Sequence, residues 1–393
     1  MKHLLLATAA TALIAGTAGA EEVKLGLHLG FTGPLESMAP DIAAGGEAAA
    51  AEINESGLFL GGATVVTSQS DTTCIDAAAS VAAAERQVAG GVRALVGGQC
   101  SGETIAVLER VALPNGVMMI SPSATSPALT TIEDNGLFFR TAPSDARQGE
   151  VIATLAREKG LEAMAITYTN NDYGKGLADS IQAAFESMGG SVTISAAHDD
   201  GKADYSAEVA ALAAAGGDAL VVAGYVDQGG SGVTRAALDT GAFDMFVFPD
   251  GMVGDALVSR FGSEIDGSIG INPAAEGEGP DRFAELAAAR GFNPTSAYAG
   301  ESYDSAALIL LAMHAAGSSD PALAKEKVME VANAPGEPIL PGELGKALEL
   351  LNAGQDIDYV GATSVELVEP GEAAGTYRET TITDGKMEVV GFH

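Results

Sequence analysis

The sequence predicts an α/β protein built as two doubly wound lobes with mostly parallel sheets. Short apolar, β-branched runs alternate with helical patterns, the signature of βαβ units. The alternation fills two successive blocks, roughly 23–140 and 146–251. The chain has 393 residues, more than one compact core ordinarily holds.

In the first block, Val23 to Leu29 reads as a strand and 30–34 (GFTGP) as the loop after it. A helix is expected over 41–55, a strand over 63–68 and a helix over 77–88. Val92 to Val96 is too short and too β-branched for a helix, and Gly97-Gly98 ends it. Helical spacing returns with Ile105, Leu108 and Val111, and a further strand runs from Val117 to Ile120. The chain between these two strands suffices for a helical crossover, so they pair in parallel. Ligands of such sheets sit beyond the carboxyl ends of the strands, where Ser101 and the loop Ser123, Ala124, Thr125 fall. Ser101 opens a helix, so it reads either as a seat for a carboxylate or simply as a helix cap.

Leu137 to Arg140 closes the first block, and helix 146–159 opens the second. Strand 163–168 is followed by the loop Asn170 to Gly174, which carries Tyr173, and by helix 175–188. Strands are expected at 191–196, 219–223 and 244–248, with helices at 205–215 and 229–240. Tyr225 and Asp250 lie just past two of those strand ends. Helices follow at 281–290, 298–316 and 321–332, then a Pro-rich loop at 335–341 and alternating β-like segments to the end.

Residues 1–20 have one Lys, an apolar core and Ala18-Gly19-Ala20, the form of a secretory signal cleaved after Ala20. No other run is long and apolar enough to span a bilayer. Export places the two cysteines in an oxidising compartment, where one intramolecular pairing is open, Cys74 with Cys100. It would close a loop of roughly 26 residues, on the order of 3.5 kcal/mol in the chain-entropy treatment. The net charge of −33 argues against nucleic acid or anionic lipid as partner. No dinucleotide, phosphate-loop, zinc or nucleophile-elbow motif is present, so no metal, cofactor or catalytic residue is assigned. What remains is hydroxyls on one lobe (Ser101, Ser123, Thr125) and a phenol and an acid on the other (Tyr225, Asp250). Hydroxyls at a helix start suit a carboxylate, and the phenol and acid suit an ammonium, so together they suit a zwitterion.

The segments FTGPLES, AEIN at 51–54, GGQCSGET at 97–104, MISPSATSPALT at 119–130, FRT at 139–141, NNDYGKGLA at 170–178, AGY at 223–225 and PDG at 249–251 together resemble the periplasmic leucine/isoleucine/valine-binding proteins of ABC importers. The resemblance covers essentially the whole chain after residue 20. It implies the type I periplasmic-binding fold, with a three-crossover hinge near 142–145, 270–273 and 360–363. Lobe 1 would then be 21–142 plus 272–361, and lobe 2 would be 143–271 plus 362–393. It implies the Cys74–Cys100 disulfide. It implies a ligand carboxylate on Ser101 and Thr125, and an ammonium held by the Ser123 carbonyl, Tyr225 and Asp250, with Tyr173 lining the pocket. Asp250 stands where a Glu is found in well-known members, and Met38 stands where an aromatic often lines the side-chain pocket. The implied protein is a monomeric, non-enzymatic periplasmic binder that closes over a small amino acid and delivers it to an ABC permease. A ligand sensor of the same fold, or a carrier of another zwitterion or an amide, is the alternative reading.

Overall fold

The computed structural model describes residues 21–393; the expected signal segment, 1–20, lies outside the described residues. The chain first lays down β1 (Glu22–Leu29), β2 (Thr64–Asp71), β3 (Ala94–Gly97), β4 (Met118–Ser121) and β5 (Phe138–Pro143). It then builds β6 (Ala163–Thr169), β7 (Ser191–His198), β8 (Ala219–Ala223), β9 (Phe246–Phe248) and β10 (Ile269–Pro273). A separate parallel pair follows, β11 (Glu337–Ile339) and β12 (Ile357–Tyr359). The last strands are β13 (Leu367–Val368), β14 (Glu372–Ala373), β15 (Tyr377–Thr383) and β16 (Lys386–Phe392).

Two seven-stranded sheets result, ordered β13-β14-β5-β4-β3-β1-β2 and β16-β15-β10-β9-β8-β6-β7. Their five-strand parallel centres have the same winding: first strand beside second and third, then fourth and fifth. The strand order therefore reverses once in each sheet, between β1 and β3 and between β6 and β8. Those reversals open the crevices that doubly wound sheets use for ligands. The inner strands β3, β4, β8 and β9 are buried throughout, as sheets covered on both faces require.

Helix 39–56 forms despite Gly45 and Gly46. A Cβ on Gly45 would lie 2.1 Å from the Ala299 carbonyl oxygen, so the glycine lets this helix pack closely on helix 299–315. Four segments differ from the sequence expectation. Helix 172–187 starts at Asp172, capped by the Asn171 side chain on Gly174 N–H, so Tyr173 stands in a helical first turn rather than in a loop. The 335–341 loop contains β11, whose Pro338 is tolerated because the strand belongs to a two-stranded pair. The expected helix 321–332 is three short turns, 321–324, 325–327 and 328–332. Strand β10 escaped notice because Gly270 and Pro273 interrupt its apolar alternation.

The chain passes from the first sheet to the second between β5 and helix 145–158, which packs against helix 172–187. β14 pairs with β5 and β13 with β14, so the final passage to the second sheet lies at 374–376, later than the expected 360–363. Arg140 ties this edge together. It is 1% exposed, forms an ion pair with Glu372, and donates through Nη1 to the carbonyls of Ala124 and Ser126, each at 3.0 Å. Nη2 also reaches Thr130 Oγ1 at 2.8 Å. One guanidinium thus fixes the loop after β4 and the return of the last segment. Arg140→Met should cost about 3–5 kcal/mol, because it strands buried acceptors and a carboxylate. Urea unfolding followed by circular dichroism measures this, and a loss under 1 kcal/mol would contradict the clamp.

Candidate functional site

The two sheets present corresponding strand ends to each other. Ser101 follows β3 and Tyr225 follows β8, the third strands of the two centres; Thr125 follows β4 and Asp250 follows β9, the fourth strands. All four side chains are nearly or fully buried, so the lobes meet over them. Direct contacts hold that closure: Ser126 Oγ donates to the Asp172 carbonyl at 3.0 Å, and Ser37 N–H donates to Asp227 Oδ2 at 3.0 Å.

Ser101 is not the cap of its helix. Glu103 does that work, accepting from the N–H groups of Gln99 at 2.8 Å and Cys100 at 3.1 Å. Burial pushes the Glu103 carboxyl up to about 7, opposed by these N–H groups and by the Ser80 hydroxyl. Ser101 Oγ instead accepts from Ser126 N–H at 3.1 Å and keeps its proton to donate. The Cys74–Cys100 disulfide, with Cα atoms 5.3 Å apart, anchors the turn just before it.

In the 123–126 loop the polar groups divide cleanly. Ser123 Oγ donates to the Gln99 carbonyl at 2.9 Å. Ala124 has both backbone groups engaged, its N–H on Ser121 Oγ and its carbonyl on Arg140. Thr125 Oγ1 is buried without a protein partner. The Ser123 carbonyl stands outside the Arg140 clamp. The loop thus offers the Ser123 carbonyl and the Thr125 hydroxyl, and Ala124 contributes only shape.

The second lobe supplies aromatic rings and acid. Tyr173 and Tyr225 stack with centroids 5.1 Å apart. Tyr173 hydroxyl donates to Asp250 Oδ1 at 3.0 Å and accepts from Gly251 N–H at 3.2 Å. Asn171 Nδ2 donates to Tyr225 Oη at 3.2 Å. A Cβ on Gly251 would lie 2.6 Å from the Gly224 carbonyl oxygen, so only glycine lets these two strand ends meet. Burial raises the Asp250 carboxyl above its usual range, partly offset by the Tyr298 and Tyr173 hydroxyls. Met38 is buried at the edge of the cleft, lining a neighbouring cavity beside Val253 and Gly254.

Three residues absent from the sequence reading belong to this cluster. Tyr298, from the first lobe, donates its hydroxyl to Asp250 Oδ2 across the cleft. It does so from a left-handed backbone (φ 68°), an uncommon conformation for a bulky residue that its context must hold in place. Asp145, the first residue of helix 145–158, is fully buried, and neither carboxylate oxygen has a protein partner. Burial and then the Asp250 charge push its carboxyl well above the usual range, while the Arg140 charge pulls it down. Gln148, one turn on, holds the Ile271 carbonyl at 3.3 Å and leaves Oε1 unpartnered. An acid in the first helical turn is so ordinary that Asp145 gave no signal in sequence.

The site therefore joins hydroxyl donors on one side to two enclosed carboxylates on the other. Among the described residues no group of three or more His, Cys, Asp or Glu could hold a metal ion, and no helix is long and apolar enough to cross a membrane.

Residues 22–340 match the periplasmic binding protein family model. The chain is 31% identical over 321 residues to the Leu/Ile/Val-binding protein homolog 1 of Brucella melitensis, covering 80% of this chain and 84% of that one. It is 28% identical over 337 residues to the leucine-, isoleucine-, valine-, threonine-, and alanine-binding protein of Pseudomonas aeruginosa, covering 85% and 88%. Among solved structures, the leucine binding protein LivK of Thermotoga maritima superposes with a TM-score of 0.79 at 22% identity, covering 94% of this chain and 98% of that one. With the strand-end cluster and both sheets in agreement, the chain belongs to the periplasmic binding protein family, as a non-enzymatic solute-binding protein of the ABC transporter class.

Proposed function

We propose that the protein captures a small α-amino acid between its lobes in the periplasm and delivers it to an ABC permease. The observation that carries this reading is the pair of enclosed carboxylates, Asp145 and Asp250, opposite the hydroxyls of Ser101 and Thr125. A buried charge requires a matched partner, and an ammonium between the two acids supplies one. The ligand carboxylate then falls to Ser101, to Thr125 and to the Thr125 backbone N–H. The Ser123 carbonyl and Tyr225 complete the ammonium shell, and the stacked face of Tyr173 lines the pocket. A micromolar site needs about −8 kcal/mol, within reach of a few charge-assisted hydrogen bonds plus apolar burial.

Size follows from the same wall. The Tyr298–Asp250 contact narrows the space beside the ammonium. That favours alanine, threonine, valine and the leucines over aromatic side chains. The Brucella and Pseudomonas relatives, named for binding such amino acids, support the same range. Closure would be a hinge motion about the segments that join the two sheets.

The protein, unfolded and refolded to strip carried-over ligand, is to be titrated calorimetrically with a panel of L-amino acids. One-to-one binding by small aliphatic members is expected, and no binding anywhere in the panel would overturn the reading. Asp250→Ala should weaken the best ligand by about 2–4 kcal/mol, since it removes the counter-charge of an enclosed ammonium. Asp250→Asn, which removes the charge yet keeps an acceptor for one of the two tyrosine hydroxyls, separates the charge from most of the lost hydrogen bonding.

Binding should also release protons. Asp145 faces Asp250, Thr125, Arg140 and Tyr377, and burial together with the Asp250 charge makes its carboxyl hold a proton well above the usual carboxylate range. An ammonium beside it favours the ionised form, so ligand binding expels that proton and weakens as pH falls. Calorimetry at a series of pH values in buffers of different ionisation enthalpy should show proton release that Asp145→Asn abolishes. Equal apparent enthalpies in all buffers would contradict the role of Asp145.

A further inference from the structure

Beside Met38, at the edge of the cleft, lies a second interlobe space of about 570 Å³. Val253, whose N–H donates to the Asp250 carbonyl at 3.2 Å, lines it, and so does Ala297, the neighbour of Tyr298. The first lobe adds Met38 and Ser296, and the second adds Thr380, Lys386 and Arg378.

Arg378 is the unusual member. It follows Tyr377 on β15 and so points to the opposite face of that strand. Its Nε is buried without a partner, and its one side-chain hydrogen bond is a long contact of 3.4 Å from Nη2 to Asn272 Oδ1. Among the described residues it forms no ion pair, although the chain carries 53 acidic residues against 20 basic ones. The acid whose field reaches it is Glu301, and burial pushes that carboxyl up to about 8, leaving it protonated at neutral pH. Two carboxylates border the space, Asp41 and Asp255. Both are engaged by Asn293, whose N–H donates to Asp41 Oδ1 at 3.1 Å and whose Nδ2 donates to Asp255 Oδ2 at 3.4 Å. Lys386, at the same cavity, forms no ion pair among the described residues either. A half-buried guanidinium without a counter-charge is costly, and its planar fork matches a carboxylate.

We infer that this outer cavity is an anion-accepting subsite, in which Arg378, with Lys386 nearby, receives the carboxylate of a small organic acid between the closed lobes. The carboxylate has two sources: the distal end of an amino acid already held in the inner cleft, or a separate small acid. The first source rests on the function proposed above, and the second stands without it.

Two measurements on the stripped protein separate them. The first compares L-glutamate with its neutral isostere L-glutamine by calorimetry. The second compares thermal unfolding in succinate with unfolding in sodium chloride of equal ionic strength. Each is repeated on Arg378→Gln and on the charge-preserving Arg378→Lys. Glutamate binding about tenfold tighter than glutamine, with the advantage lost in Arg378→Gln, supports the distal-carboxylate source. A rise of the unfolding midpoint in succinate, absent in chloride and in Arg378→Gln, supports the separate acid. If neutral amino acids bind, glutamate has no advantage and succinate acts only as chloride does, the subsite is refuted. If no amino acid binds but succinate stabilises through Arg378, the amino-acid reading fails and the subsite stands. If Arg378→Gln does not fold, the two wild-type comparisons decide alone.

Discussion

Asp145 and Asp250 are enclosed in a chain that has few cations to set against them. Each carboxylate raises the cost of ionising the other, and the guanidinium within reach, Arg140, is committed to Glu372 and to two loop carbonyls. The closed arrangement therefore depends on a positive charge arriving between the acids, or on protons remaining on them. Other features of the cleft serve that constraint. The tyrosine hydroxyls hold Asp250 in one orientation, the lobe contacts keep water out, and the opposite wall offers donors for a compensating negative group.

The repeated winding of the two sheets explains why such a site forms. A doubly wound sheet gathers polar loops at the carboxyl ends of its strands, and the two sheets turn those ends toward each other. The third and fourth strands of each lobe then supply one group apiece. The lobes use the same positions for different chemistry, hydroxyl on one side and phenol plus acid on the other. That asymmetry is what gives the cleft a direction along which a dipolar ligand can lie.

Much of this was legible in the sequence because strand ends are easy to locate. Ser101, Thr125, Tyr225 and Asp250 each follow a short apolar run, and position alone marks them. Ser101 kept two readings until the structure gave its helix another cap, the Glu103 carboxylate. Residues whose role depends on distant partners were not legible. Arg140 matters through Glu372, 232 residues further on. Tyr298 reaches the cleft only because its backbone turns left-handed just before a helix, which no periodicity reports. Asp145 looks like any acid in a first helical turn until both of its oxygens are found buried. Ala124 shares the strand-end loop with Ser123 and Thr125, but its backbone groups are occupied by Ser121 and Arg140.

The return of the last segment has a consequence for how the molecule comes into being. β14 completes the edge of the first sheet and β15 continues the second, so both lobes are finished by residues beyond 370. A chain still in the course of synthesis holds most of each sheet yet lacks an edge of both. Pairings that span from 104 residues, Pro273 with Tyr377, to 232, Arg140 with Glu372, close late, since the loop entropy precedes any gain from contact. The polypeptide thus stays short of its final compact state until nearly its whole length is available.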